Sequence, residues 1–328
     1  MMTYRQCGKS SVQLPALTLG LWHNFGSVDD FDTATQMILR AFDAGICHFD
    51  LANNYGPEPG TAEENFGRIL RENLASHRDE LFITTKAGHR MWPGVYGDGS
   101  SRKNLIASCD QSLRRMGLDY VDVFYSHRYD GVTPIEETMQ ALVDIVRAGK
   151  ALYVGISKYP AHLQAQCYAY LREQHVPCLV SQYPASMFRR TSMASAEDSN
   201  LSVAAKNGSG FVCFSPLAQG LLTTKYFNGI PADSRAAKAT GFLRTEQVTP
   251  ERVEAARDLH AIAQERGQSL PQMALAWLLH DPRVTSVIIG TSSVAQLNDN
   301  LQTLNNLTFT ADELLRIDQI LSREGIAM

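Results

Sequence analysis

The chain has 328 residues, of which 44% are hydrophobic and 20% charged, and its formal net charge is −4. This is the composition of an ordinary globular protein, and the mixed charges argue against nucleic acid as a partner. No apolar run reaches the roughly 20 residues that a membrane span needs, and the first residues lack a signal-peptide pattern, so we expect a cytoplasmic protein with no membrane partner.

Six cysteines are scattered along the chain without a Cys-x-x-Cys motif and without a histidine at metal-ligand spacing. Isolated cysteines of this kind are mostly small hydrophobic core residues. We therefore expect reduced thiols and no metal site.

Eight short β-rich segments alternate with stretches of helical periodicity, such as 31–44 and 135–148. The predicted strands are 18–22, 47–52, 81–86, 121–127, 151–158, 178–183, 211–217 and 284–290. Alternation of this kind indicates parallel strands joined by crossover helices. Eight such units favour an α/β fold of the closed (β/α)8 TIM-barrel type, with residues 1–328 forming a single domain.

The gap before the last predicted strand is unusually long. It contains an irregular insertion over 219–249 and two predicted helices between residues 250 and 280, and a further helix is expected at the C-terminus. Capping-box patterns predict helix starts at Thr61, Thr133 and Ser269. Because no Gly-x-Gly-x-x-Gly follows a strand, the doubly wound dinucleotide-binding fold is not expected.

Four side chains that could act together lie at or just after the ends of the second, third and fourth predicted strands: Asp50, Tyr55, Lys86 and His127. In barrels the active site is built at this end of the strands. A tyrosine has a pKa of about 10 and is a poor acid, but a neighbouring ammonium favours the phenolate and should lower that pKa. Lys86 could act in this way on Tyr55, with Asp50 orienting it, and His127 could bind a substrate carbonyl oxygen.

Each of these residues also has a purely structural interpretation, as a solvated lysine, a hydrogen-bonded histidine, a loop-capping aspartate or a packed tyrosine. Their arrangement resembles the catalytic tetrad of the aldo-keto reductase family. The resemblance extends over nearly the whole chain, through the segments 50–56, 62–67, 115–122, 149–157 and 214–223. Within the family, the segments 91–97 and 228–235 resemble the bacterial reductases of L-glyceraldehyde 3-phosphate, which are related to potassium-channel β subunits.

This resemblance implies NADPH-dependent reduction of small aldehydes to alcohols, with L-glyceraldehyde 3-phosphate and methylglyoxal as expected substrates. Tyr55 would be the proton donor. The family also implies a homo-oligomer, a tetramer or larger.

Cofactor-binding positions follow from the same resemblance. Ser157 and Gln182 match residues that hold the nicotinamide carboxamide, and Phe214 matches the residue that stacks on its ring. The remaining positions implied to line the cofactor are Trp22, Ser215, Leu217, Ala218, Lys225, Arg235, Gly290, Ser292, Gln296, Asp299 and Asn300.

Two of these positions, Lys225 and Arg235, carry charge that would favour NADPH over NADH if it lay near the 2′-phosphate. They could equally be solvated loop cations. Ser293-x-x-Gln296 likewise fits both the adenosine end of a cofactor site and a plain capping box.

Some positions are left open by the sequence. Lys158 stands where many family members carry Asn, Ser or Arg, so neither its contact with the cofactor nor that of Tyr183 is assigned. Trp22, Trp92 and Arg128 are candidates for substrate binding, and Arg128 could meet a substrate phosphate, but all three could instead serve packing.

Two other functions remain as alternatives. One is a nicotinamide-sensing partner of a membrane channel, as in the related β subunits; reductase turnover with simple aldehydes would argue against it. The other is a Schiff-base aldolase that uses Lys86, which borohydride trapping would reveal.

Overall fold

The computed structural model describes residues 1–232, 234, 236–237 and 243–328. Its strands are β1 Tyr4–Gln6, β2 Gln13–Pro15, β3 Leu17–Gly20, β4 His48–Asp50, β5 Phe82–Ala87, β6 Val121–Ser126, β7 Ala151–Ser157, β8 Cys178–Pro184, β9 Gly210–Phe214 and β10 Ser286–Ile289. Its α-helices are α1 Phe31–Asp43, α2 Thr61–Ile69, α3 Arg102–Met116, α4 Ile135–Arg147, α5 Ala161–Glu173, α6 Asn200–Asn207, α7 Pro250–Glu265, α8 Leu270–His280, α9 Val294–Leu301 and α10 Ala311–Leu321.

Strands β3 to β10 form a closed barrel of parallel strands, in which β10 pairs with both β9 and β3. This confirms the predicted (β/α)8 barrel, and each of the eight predicted strands overlaps one strand of the barrel. The two helices predicted after the insertion are α7 and α8, and the expected C-terminal helix is α10.

Side chains alternate along the barrel strands between two hydrophobic layers. In β6, Phe124 packs in the layer between the strands and the surrounding helices, whereas Val123 and Tyr125 pack inside the barrel. Every side chain of this strand is buried, which explains its almost continuous apolar sequence.

An N-terminal hairpin was not predicted. Strands β1 and β2 pair in antiparallel fashion outside the barrel sheet, and the buried residues Cys7 and Leu14 pack against interior residues such as Val180 and Val212. The hairpin therefore covers the end of the barrel at which the strands begin.

Only one of the three predicted capping boxes is present. Ser269 and Gln272 cap α8 reciprocally, as expected. The boxes at Thr61 and Thr133 are wrong, because the Thr61 hydroxyl donates to the carbonyl of Glu58 and the Thr133 hydroxyl donates to Asp130. Both hydroxyls thus stabilise the preceding loop rather than the helix start.

Among the residues that the structure describes, no helix is both long enough and apolar enough to cross a membrane.

Candidate active site

Asp50, Tyr55, Lys86 and His127 converge at the carboxyl end of the barrel. The Lys86 ammonium lies 2.7 Å from a carboxylate oxygen of Asp50 and donates to the Tyr55 hydroxyl at 3.4 Å. The ring centroid of His127 is 5.9 Å from that of Tyr55. Neighbouring parallel strands bring these residues together because the carboxyl ends of β4, β5 and β6 share one rim.

Lys86 and Asp50 are held on several sides. The other oxygen of Asp50 accepts hydrogen bonds from Thr84 and Gln182, both at 2.9 Å. The Lys86 ammonium also donates to the carbonyl oxygen of Leu51 at 2.5 Å. Together with the bond to Tyr55, these contacts use all three N–H groups of the Lys86 ammonium, and forming an imine at Lys86 would break them.

The expectation that Lys86 lowers the pKa of Tyr55 is wrong. Burial, reinforced by the Asp50 carboxylate, raises the pKa of Tyr55 well above its ordinary value of 10. The positive charge of Lys86 is balanced by the carboxylate of Asp50, with which it forms an ion pair. Tyr55 therefore holds its proton firmly at neutral pH.

His127 is kept neutral by its surroundings. Burial and the nearby charges of Lys158 and Lys86 lower the pKa of His127 well below 6.5. Its ring lies 4.4 Å from that of His89, centroid to centroid, and the two rings are nearly perpendicular. The His127 Nδ1 atom is buried without a hydrogen-bond partner among the described residues.

His89 was missed by the sequence analysis. It lies in the loop after β5, where its Nε2 atom contacts the Lys158 ammonium at 2.9 Å. A histidine three residues after a strand-end lysine was the only available signal, and loop geometry decides whether such a residue faces the site.

A cleft of about 580 Å³ opens beside Asp50 and Tyr55, within the range of small-molecule sites. Ten of the predicted cofactor positions line it: Trp22, Phe214, Ser215, Leu217, Lys225, Gly290, Ser292, Gln296, Asp299 and Asn300. The cleft thus joins the loop after β9 to the start of α9.

The cleft also has lining residues that sequence reasoning missed: Asn24, Gln219, Thr223, Thr224, Tyr226 and Pro271. Several of them flank predicted positions within the same loops. Three non-glycine residues of the cleft wall have a positive φ and are therefore strained: Asn24, Ser215 and Gln219. Ala218, which precedes Gln219, also has a positive φ. Such conformations are typical of functional sites.

The remaining predicted positions lie elsewhere. Ser157, Gln182 and Ala218 are buried and are not part of the cleft wall, and Arg235 lies outside the described residues.

Of the substrate candidates, only Trp22 lines the cleft, with its ring centroid 6.1 Å from that of Tyr55. Trp92 is partly buried in the loop after β5 and is not part of the cleft wall. Arg128 donates to the carbonyl of Gly88 and pairs with Asp98 at 2.8 Å, so its guanidinium connects two loops at the mouth of the barrel.

Two buried polar atoms could be satisfied by a bound dinucleotide. The Ser157 hydroxyl and the Asn300 amide nitrogen are buried polar atoms without hydrogen-bond partners among the described residues. Asn300 lines the cleft, and Ser157 lies at the end of β7 beside Gln182, which donates to the cleft residue Asp50. Ser293 caps α9 by accepting from the backbone N–H of Gln296. A helix start favours an anionic group nearby because of its backbone N–H groups and dipole.

Metal ligands show no comparable grouping: within the described ranges, no cluster of three or more His, Cys, Asp or Glu residues could hold an ion.

Comparison with known proteins gives concordant matches. Residues 16–322 match the model of the aldo/keto reductase family. An Escherichia coli K12 protein named L-glyceraldehyde 3-phosphate reductase is 55% identical over 321 residues, covering 97% of this chain and 92% of that protein. Proteins from Arabidopsis thaliana and Oryza sativa subsp. japonica, each named "Probable voltage-gated potassium channel subunit beta", are 34% identical and cover 98% and 96% of this chain, and 97% and 94% of their own lengths.

Proposed function

The chain belongs to the aldo/keto reductase family, and from this premise we propose that it reduces small aldehydes to alcohols with NADPH, using Tyr55 as the proton donor. The expected substrates are L-glyceraldehyde 3-phosphate, which the 55% identical relative is named for, and methylglyoxal. The observation that carries the proposal is the contact of the Tyr55 hydroxyl with the Lys86 ammonium, which is itself paired with Asp50.

The proposed chemistry follows from the protonation states of these residues. A reduced nicotinamide, when bound, supplies the hydride that the carbonyl carbon receives. Tyr55 holds its proton until negative charge develops on the carbonyl oxygen, and then gives it up to form the alcohol. Lys86 stabilises the resulting phenolate, and His127 orients the carbonyl oxygen by hydrogen bonding.

NADPH would lie along the cleft. Ser157, Gln182 and Phe214 would hold its nicotinamide end, and Ser215, Leu217, Ala218 and Lys225 would follow its pyrophosphate. The adenosine end would be held by Gly290, Ser292, Gln296, Asp299 and Asn300. The positive charge of Lys225 supports the choice of NADPH over NADH, and Arg235 is proposed to add to it.

The test is to follow NADPH absorbance with glyceraldehyde 3-phosphate and methylglyoxal for the parent and for Tyr55→Phe. The variant keeps the ring and removes the proton donor, so we expect kcat to fall about 10²- to 10⁴-fold with NADPH binding retained. Tyr4→Phe is the matched control, since Tyr4 is an exposed tyrosine on the hairpin at the opposite end of the barrel.

Equal losses in both variants, or full activity of Tyr55→Phe, would contradict the assignment of the proton donor. Titration of both cofactors in the same experiment tests the preference for NADPH, and comparable affinities would overturn it.

A second candidate is a nicotinamide-dependent partner protein, which the relatives named as channel subunits favour. Tight NADPH binding by a parent that turns over no aldehyde would support it over the reductase.

A further inference from the structure

Lys158 places an ammonium group next to the candidate catalytic residues. It follows β7 directly, and its Nζ atom lies 2.9 Å from His89 Nε2 and 5.7 Å from the centroid of the Phe214 ring. The residue has a φ of 59°, in the left-handed region that non-glycine residues rarely adopt. Strain of this kind is typical of functional positions.

The charge of Lys158 has no counter-ion among the described residues. The two cations whose charges act on Lys158 are Lys86 and Arg128, and they are paired with Asp50 and Asp98 respectively. Lys158 has no such carboxylate, and its hydrogen-bond partner is a histidine. A partly buried ammonium without an anionic partner is unfavourable, so this position would be stabilised by an anion from a ligand.

His89 is suited to orient Lys158. Burial and the charges of Lys158 and Arg128 lower the pKa of His89 to about 4, so its ring is neutral at physiological pH. A neutral ring nitrogen can accept one hydrogen from the Lys158 ammonium. Two further N–H groups of that ammonium then remain available to a ligand.

We propose that Lys158, oriented by His89, binds an anionic group of the substrate, so that the preferred aldehydes carry a phosphate or a carboxylate near the carbonyl. The inference rests on the proposed reductase function and deepens it. It assigns the role of anion recognition to Lys158 rather than to Arg128, whose guanidinium is already engaged by Gly88 and Asp98.

The position of Lys158 favours the substrate over the cofactor as the source of the anion. Lys158 contacts His89, which stacks edge-on against His127, and His127 in turn neighbours Tyr55. Lys158 also faces Phe214, the proposed nicotinamide-stacking residue, so its ammonium lies where the proposed nicotinamide would meet the substrate carbonyl. The proposed cofactor phosphates lie along the cleft toward Lys225 and α9, whereas the nicotinamide end of the cofactor carries no phosphate.

The experiment measures kcat/KM for glyceraldehyde 3-phosphate and for uncharged glyceraldehyde in the parent and in Lys158→Met, which retains an unbranched chain and removes the charge. We expect a loss of about 10- to 100-fold with the phosphorylated aldehyde, as for one charged hydrogen bond, and less than about 3-fold with glyceraldehyde. The control is Lys206→Met, because Lys206 is an exposed lysine on α6 that pairs with Glu197. It should change neither value.

A direct binding measurement accompanies the kinetics. Inorganic phosphate should inhibit glyceraldehyde reduction by the parent competitively with the aldehyde, and its Ki should rise about 10-fold or more in Lys158→Met. An unchanged Ki would contradict the proposal. So would equal losses with both aldehydes, or weaker NADPH binding as the main effect of the substitution.

These measurements distinguish a failure of the anion site from a failure of the proposed reductase function. A parent that reduces both aldehydes equally well would overturn the anion site and leave the reductase function intact. A parent that reduces neither aldehyde would overturn the reductase function and the anion site with it.

Discussion

At the scale of single residues, the protonation state of Lys158 predicts that the preference for a phosphorylated aldehyde depends on pH. Burial, followed by the charges of Lys86 and Arg128, lowers the pKa of Lys158 to about 8. The ammonium is present below that pH and is lost as the pH rises through it. We therefore expect the ratio of kcat/KM for glyceraldehyde 3-phosphate to that for glyceraldehyde to fall above about pH 8, since kcat/KM reports the free enzyme.

Phosphate ionisation does not interfere with this measurement, because the second pKa of a phosphate ester is about 6. Uncharged glyceraldehyde corrects for any titration of Tyr55 or His127 that affects both substrates. A ratio that stays constant from pH 7 to pH 9.5 would contradict the role of Lys158.

At the same scale, the sequence predicted which side chains could lie close together, but not how burial and neighbouring charges shift their pKa values. Asp50, Lys86 and His127 lie at or next to strand ends, so the barrel topology brings them together. The pKa of Tyr55 moves in the opposite direction to our expectation because it depends on burial and on the pairing of Lys86 with Asp50. Neither can be derived from spacing along the chain.

Among the elements, α2 and α3 approach each other closely at Gly67. A Cβ atom there would lie 2.6 Å from both the Cα and the carbonyl oxygen of Met116, which are backbone atoms and cannot rotate away. Gly67→Ala would gain about 0.5–1 kcal/mol in helix propensity, but overpacking costs about 1–3 kcal/mol. We expect a net loss of about 1–2 kcal/mol in the free energy of unfolding, measured by urea denaturation.

Glu64→Ala is the matched control on the same helix, because Glu64 is exposed and should change the free energy of unfolding by less than about 0.5 kcal/mol. A Gly67→Ala variant more stable than the parent would show that the two helices separate without cost.

Elements with strong periodicity were predictable, and short ones were not. Strand β6 is apolar throughout and was found within one residue of its bounds. The strands β1 and β2 have three residues each, too few to show a period of two. The Thr61 and Thr133 boxes failed because a threonine hydroxyl can bond the preceding loop equally well.

For the whole molecule, closure of the barrel depends on one pairing between distant parts of the chain. Strand β10 pairs with β3, with Val287 opposite Leu17. Strand count and spacing favoured a barrel, but closure depends on strand tilt and register, which a single sequence does not specify. The family match over residues 16–322 supports our proposal that the chain forms a single domain.

The N-terminal hairpin contributes to the stability of the whole barrel because it fills the end opposite the candidate active site. Leu14 is fully buried among interior residues of the barrel strands. Leu14→Ala should lower the free energy of unfolding by about 2–5 kcal/mol through lost burial and the cavity that remains. The denaturant midpoint measures this loss. In the folded variant, kcat/KM for glyceraldehyde should stay within about 3-fold of the parent value, because the substitution leaves the tetrad contacts in place.

Gln13→Ala separates this packing effect from a general sensitivity of the hairpin, because Gln13 is the exposed neighbour of Leu14 on the same strand. It should change the free energy of unfolding by less than about 0.5 kcal/mol. Equal effects of the two substitutions would contradict the attribution of the loss to the burial of Leu14. A large loss of kcat/KM in folded Leu14→Ala would mean that the packing at this end also sets the positions of Asp50 and Lys86 at the other.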